Sequence, residues 1–186
     1  MKKISILLIV LVAASCQKEQ KISTVKLQEV ISEDSATLIS AELKKVLVSQ
    51  LTAKIGESGT AEAVSFCNIE ALPLTKSVAD KHGISVSRVS DQPRNQTNKA
   101  SATEIEIIEK YKNLLKEKQQ LQPTTENGFL YDPLVTNAMC LQCHGVPGKN
   151  IKPEVSAKLA ALYPEDLATG YKENQIRGLV KVQLGK

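Results

Sequence analysis

The chain is 186 residues long and carries 24 basic against 20 acidic side chains, a formal net charge of +4. That balance is too even for a nucleic-acid-binding surface, and the length suits a single domain with one substantial core. Trp is absent and Phe66 and Phe129 are the two phenylalanines. The core is therefore built from aliphatic side chains or filled by a large apolar body from outside the chain.

The chain opens with a positive Met1-Lys2-Lys3, an apolar run from Ile4 to Val12 broken by Ser5, and small residues Ala13-Ala14-Ser15 ahead of Cys16. The run is too short for a permanent membrane span, which takes about 20 residues, and it reads as a signal peptide over 1–15. Small residues ending at a cysteine resemble the lipobox of bacterial lipoproteins, although Ala13 stands where leucine is usual. The resemblance implies lipidation of Cys16 and a domain anchored on the periplasmic side of a bacterial membrane. Losing 1–15 also removes Lys2 and Lys3, so the membrane contact falls to acyl chains rather than to charge. Residues 16–31 read as a polar tether, and 32–186 as one domain.

From Ser32 to Ile55, Leu38, Leu43, Val46, Leu47, Leu51 and Ile55 recur at three- and four-residue spacing. They predict a long amphipathic helix ending near Gly56 and Gly59. A second helix is predicted from Thr60, carrying Ala63, Val64, Cys67 and Ala71. Pro73 restarts or kinks it, and a run from Leu74 to His82 stops at Gly83. The β-branched stretch Ile84 to Ser90 predicts a strand, and Asp91 to Ala100 a loop. Ser101 and Glu104 form a capping box for a helix reaching Gln120. Asn127-Gly128 signals a turn before a strand over Phe129 to Val135, placed at an edge by Pro133. After a break at Pro147-Gly148, a short helix over Glu154 to Leu162 and a strand over Gln175 to Leu184 follow. This order argues for an α+β domain.

Cys140-Leu141-Gln142-Cys143-His144 lies before the Pro147 break and is the CxxCH pattern of covalent haem attachment. Two thiols three positions apart can each form a thioether to a haem vinyl group, and the next histidine lies where its imidazole reaches the iron. One covalent haem c is expected, on Cys140, Cys143 and His144, and export fits, since c-type haem is attached outside the bacterial cytoplasm. The alternatives are half of a zinc site completed by Cys67 with His82 or His144, and a disulfide between Cys140 and Cys143. With Cys16 given to lipid, Cys67 is the cysteine left over, and alone on an apolar helix face it reads as a small buried hydrophobe. Met139 lies too near the attachment site to reach the far face of a porphyrin and reads as packing. His82, beside Gly83, reads as a helix C-terminal cap, with iron ligation as its alternative.

Phe66-Cys67-Asn68, Pro73-Leu74, Gly83 through Val89-Ser90-Asp91, Pro93-Arg94-Asn95 with Asn98, the CxxCH with Gly145, Tyr163-Pro164 through Asp166, Ala168-Thr169-Gly170-Tyr171 and Arg177-Gly178 occur in that order. Together they resemble the c-type haem proteins with a PAS-like fold, long catalogued as a domain of unknown function. The resemblance implies a PAS-like antiparallel sheet with flanking helices, preceded by a long N-terminal helix, and haem held against the sheet. In some members a cysteine at the Cys67 position is the second iron ligand. Arg94 and Arg177 fall within family motifs and are candidate partners for haem propionates, against the alternative of ordinary ion pairs. Gln96 stands where the family usually has proline, which loosens the loop after Arg94, and Asn174 where it has glycine. The resemblance further implies redox sensing or electron transfer, with a separate redox or signalling protein as partner because no effector follows here. The alternative is a haem-based gas sensor. No second catalytic constellation accompanies the motif, so no enzyme activity is expected.

Overall fold

The computed structural model describes residues 31–185. The signal peptide and the lipidation of Cys16 lie outside those residues, as does the tether apart from Ile31. Among the described residues no helix is long and apolar enough to cross a membrane.

Helix α1 spans Glu33–His82 and is capped by Ser32, whose Oγ accepts from the Ser35 N–H. It consists of two arms that meet at Gly59, where φ is 82° and ψ 169°, a conformation that side-chain-bearing residues resist. The chain turns back there, so Lys81 and His82 at the end of the second arm bond Glu42 in the first. The expected stop at Gly59 is where the break falls, whereas Gly56 and Pro73 lie inside the helix. Proline withholds its N–H from the carbonyl of Ile69, a residue 66% exposed, so water can take that place and the helix continues.

Strands β1 (Val86–Val89), β2 (Thr124–Glu126), β3 (Phe129–Val135) and β4 (Ile176–Gln183) form one antiparallel sheet in the order β1-β4-β3-β2. Asn127 and Gly128, both at positive φ, make the two-residue turn between β2 and β3. β3 is interior rather than an edge, because a short β2 that the sequence pattern did not predict pairs with Phe129 to Tyr131. Beyond β2, Pro133 faces Leu179 of β4 and no strand on its other side, so the edge rule holds locally.

Alternation gives the sheet two covered faces. Val86, Leu130, Val180 and Val182 pack on Ala36, Ile39, Leu43 and Val78 of α1. Tyr131 and Leu179 pack with Ile107, Ile108 and Tyr111 of α2 (Ala102–Lys116), which ends a turn earlier than expected. A single helical turn, α3 (Leu141–His144), and helix α4 (Pro153–Leu162) follow β3. α4 packs through Val155 and Leu159 on Val64 of the second arm. The structure is thus α+β, with a long N-terminal helix, an antiparallel sheet and flanking helices.

Glu104 ties α2 to the sheet by accepting from the Ser101 N–H and from Lys181 Nζ on β4. Burial pushes its carboxyl up, but the bonds from Lys181 and Ser101 outweigh burial and hold it below the ordinary 4.5. A depressed folded value means its stabilisation is complete above about pH 4.5 and is lost as pH falls through the folded value. Glu104→Gln is expected to cost about 2 kcal/mol at neutral pH and to flatten the acid limb of stability, both measured by urea unfolding at a series of pH values.

Candidate functional site

The CxxCH segment begins at Asn137, whose Oδ1 accepts from the N–H groups of Met139 and Cys140. One turn of helix follows, with the His144 N–H bonded to the Cys140 carbonyl at 2.9 Å. Residues at i, i+3 and i+4 share a helix face, and Cys140, Cys143 and His144 all line one cleft of about 540 Å³. Its other walls come from both arms of α1 (Leu47, Leu51, Ile55, Val64, Cys67), from Arg88 and Val180 of the sheet, and from loops carrying Arg94 and Tyr163. The size and the largely apolar lining suit an organic ligand. Gly145 closes the turn with no room for a side chain: a Cβ would lie 2.5 Å from Asn150 Cβ and 2.6 Å from the Leu141 carbonyl oxygen.

His144 Nδ1 lies 2.8 Å from the Ala168 carbonyl oxygen and 3.3 Å from Arg177 Nε. A carbonyl only accepts, so Nδ1 carries the proton and the Arg177 approach is a contact between two donors. Nε2 is then the nitrogen with a free lone pair. Burial, reinforced by Arg177 and Arg94, holds the imidazole well below its ordinary 6.5, so it is neutral at pH 7. A neutral ring oriented through an Nδ1–H bond to a backbone carbonyl is the form in which histidine ligates a metal. Tyr171 stands edge-on to it at 6.3 Å, and the Tyr171 N–H donates to the His144 carbonyl.

The three arginines all line the cleft but differ in their partners. Arg94 donates from Nε to Asp166 at 3.0 Å, and from Nη2 to the carbonyls of Cys143 at 2.6 Å and Ala168 at 3.3 Å. It makes the ion pair that was its alternative reading, with side chains only 12% and 9% exposed. Arg177 donates from Nη1 to Ser90 Oγ and to the Gln92 carbonyl. Arg88 was passed over in the sequence, although strand alternation sets it with Val86 on the α1 face of β1. Its Nη2 reaches the Ala71 carbonyl at 3.2 Å, and its Nε is buried with no partner.

Gln96 opens a short 3-10 turn and donates to the Glu165 carbonyl at 2.7 Å, so the loop is tied down without proline. Asn174 adopts φ of 57°, the conformation that glycine would take.

Cys67 lines the cleft from the second arm, its thiol raised by burial while Arg88 and Arg94 pull it the other way. Burial also pushes the Cys143 thiol up to about 11. Cys67, Cys140 and Cys143 are all free, so the disulfide alternative is not formed. The zinc set does not converge: among the described residues, no three His, Cys, Asp or Glu side chains are placed to hold a metal ion. His82 is not brought to the cleft, since its Nε2 meets Glu42 Oε2 at 2.8 Å near the far end of the arms. Met139 Sδ accepts from Thr52 Oγ1 at 3.7 Å, a packing contact with α1.

These features define an α+β domain in which paired helical arms and an antiparallel sheet enclose an apolar cleft, with a CxxCH turn in its wall. The chain belongs to the Tll0287-like family, whose profile (Tll0287) matches residues 12–184. Among solved structures it is similar to the cyanobacterial heme-protein Tll0287, with a TM-score of 0.60 at 22% identity, covering 82% of this chain and 94% of that one. That likeness shows a shared fold. No curated protein matches the sequence.

Arg94→Gln leaves the Asp166 carboxylate buried without its cation, and is expected to cost about 3–5 kcal/mol in urea unfolding. Adding Asp166→Asn to it is expected to restore part of that loss, which identifies the unpaired charge as the source.

Proposed function

We propose that this domain is a PAS-like c-type haem protein in which Cys140 and Cys143 would hold one haem covalently and His144 Nε2 and Cys67 Sγ would bind its iron, with a role in redox sensing or electron transfer. The carrying observation is the shared wall: two thiols and a neutral imidazole with its Nδ1 proton already committed, all on one helical turn lining an apolar cleft. The heme-protein among its structural relatives supports the reading. The residues present fit the group, since the cleft supplies apolar walls, a ligand nitrogen and an orphaned buried donor, Arg88 Nε, suited to an acidic substituent. When bound, haem supplies one-electron chemistry at iron.

The chain's own residues set the conditions for that chemistry. Ala168 orients His144, the α1 arms wall the cleft with apolar side chains, and a sulfur donor at Cys67 would favour the ferric state and lower the potential. With no second catalytic constellation among the described residues, the reading is a carrier or sensor that acts on a protein partner, not an enzyme. Lipidation of Cys16 would hold it at the periplasmic face of a bacterial membrane. Cys16→Ser is then expected to release the protein from the membrane fraction with its haem intact.

Protein matured in a periplasm equipped for haem attachment is expected to keep its colour through denaturing electrophoresis and to gain the mass of one haem. Cys143→Ser is expected to lose stable attachment or keep a single thioether. A colourless, zinc-loaded chain overturns the proposal.

Cys67→Ala is expected to turn a low-spin ferric spectrum high-spin or water-ligated and to raise the midpoint potential. An unchanged spectrum removes Cys67 from the iron. Carbon monoxide is expected to bind the ferrous protein slowly or partially, and rapid stoichiometric binding makes the domain a gas-binding module instead.

A further inference from the structure

Charge does not balance within the cleft. The described residues lining it include Lys44, Arg88, Arg94 and Arg177 but no aspartate or glutamate. Two of the four cations are neutralised from behind the lining, Lys44 by Asp132 at 2.6 Å and Arg94 by Asp166 at 3.0 Å. The other two bond only uncharged groups: Arg88 the Ala71 carbonyl, and Arg177 the Ser90 hydroxyl and the Gln92 carbonyl. Arg88 Nε, moreover, is buried with no partner. Both residues are half-buried, a setting in which a guanidinium with no anion is unfavourable, and two lining one cleft compound the cost. Burial and then the like charge of Arg177 lower the proton affinity of Arg88. The deficit amounts to two negative charges, at a place where a planar donor fork is also unfilled.

We propose that Arg88 and Arg177 are the paired anchors for a ligand bearing two carboxylates, and that Arg94 is not one of them. Resting on the haem reading above, those carboxylates are the two propionates. Arg94 has its Nε and Nη2 occupied and its charge matched, so it serves as a clamp for the protein. Arg88 offers the free Nε, and Arg177 stands beside the His144 ring. The pair thus sets how a ligand carried on the CxxCH turn is oriented against the sheet.

The test is infrared difference spectroscopy on the haem-loaded full chain, matured with haem carrying carbon-13 in its propionate carboxyls. The label separates propionates from Cys67, Tyr163 and every protein carboxyl. In the unaltered protein, both labelled groups are expected to stay ionised well into acid. In Arg88→Gln and in Arg177→Gln, one labelled group is expected to protonate at least tenfold more readily, with the haem still covalently attached. Arg88→Lys, which keeps the charge and loses the fork, is expected to fall between, and it serves if Arg88→Gln does not fold. Arg94→Gln is expected to lower stability without making either labelled group easier to protonate. Labelled bands that titrate alike in the unaltered, Arg88 and Arg177 proteins overturn this assignment and leave the haem reading standing. An unaltered protein that takes up no covalent haem overturns both.

Discussion

Arg94 joins three segments that no shared helix or strand connects. Its guanidinium, in the loop after β1, binds the Cys143 carbonyl in the CxxCH turn and, beyond α4, the Asp166 carboxylate and the Ala168 carbonyl. Asp166 in turn accepts from the Ala168 N–H at 2.7 Å, and the Ala168 carbonyl takes the Nδ1 proton of His144. The cation, its carboxylate and the histidine therefore belong to one bonded chain. In a low-dielectric interior such a chain is stiff when complete and costly when any member is removed. The direction of the His144 ring, and so the position of its free lone pair, depends on a charge pair that never touches it.

The α1 hairpin supplies the opposite constraint. Its break at Gly59 lets the two arms lie side by side and carries Cys67 back over the sheet to the cleft. Around the break, Thr60 donates to Gln142 at 2.9 Å and Glu62 pairs with Lys158 of α4. The elbow of the hairpin thus grips the CxxCH turn and the helix behind it. A straight helix of the same composition would bury the same apolar face but would leave the second arm, with Cys67, projecting into water.

What was legible in the sequence was local. The capping box at Ser101 and Glu104, the Asn127-Gly128 turn, the arrest at Gly59 and the left-handed Asn174 each follow from a few neighbouring residues, and each stands in the structure. The CxxCH spacing likewise named three residues that the structure sets on one wall of the cleft. Pro73 misled because a helix interruption depends on which side of the helix loses its bond, and that side is set by tertiary packing. β2 was missed because Thr124-Thr125-Glu126 is too short to show a period and exists only as the partner of β3. Arg88 was missed for a related reason: within a β-branched run, nothing shows that a lone arginine faces a cleft until a second layer covers the strand.

The topology also imposes an order of events. β4 is the last element of the chain, yet it lies between β1 and β3, and β1 pairs with no other strand. Until Ile176 to Gln183 arrive, there is no central strand for the α1 arms to pack on and no closed cleft. Residues 140–144 are laid down before that, in a chain whose long-range contacts have yet to form. During that interval the thiols of Cys140 and Cys143 stand open to any reagent or modifying enzyme. Once β4 docks, Gly170 and Tyr171 bond the carbonyls of Gly145 and His144, and the turn is held in place. A strand laid down after both thiols therefore completes the cleft that they line.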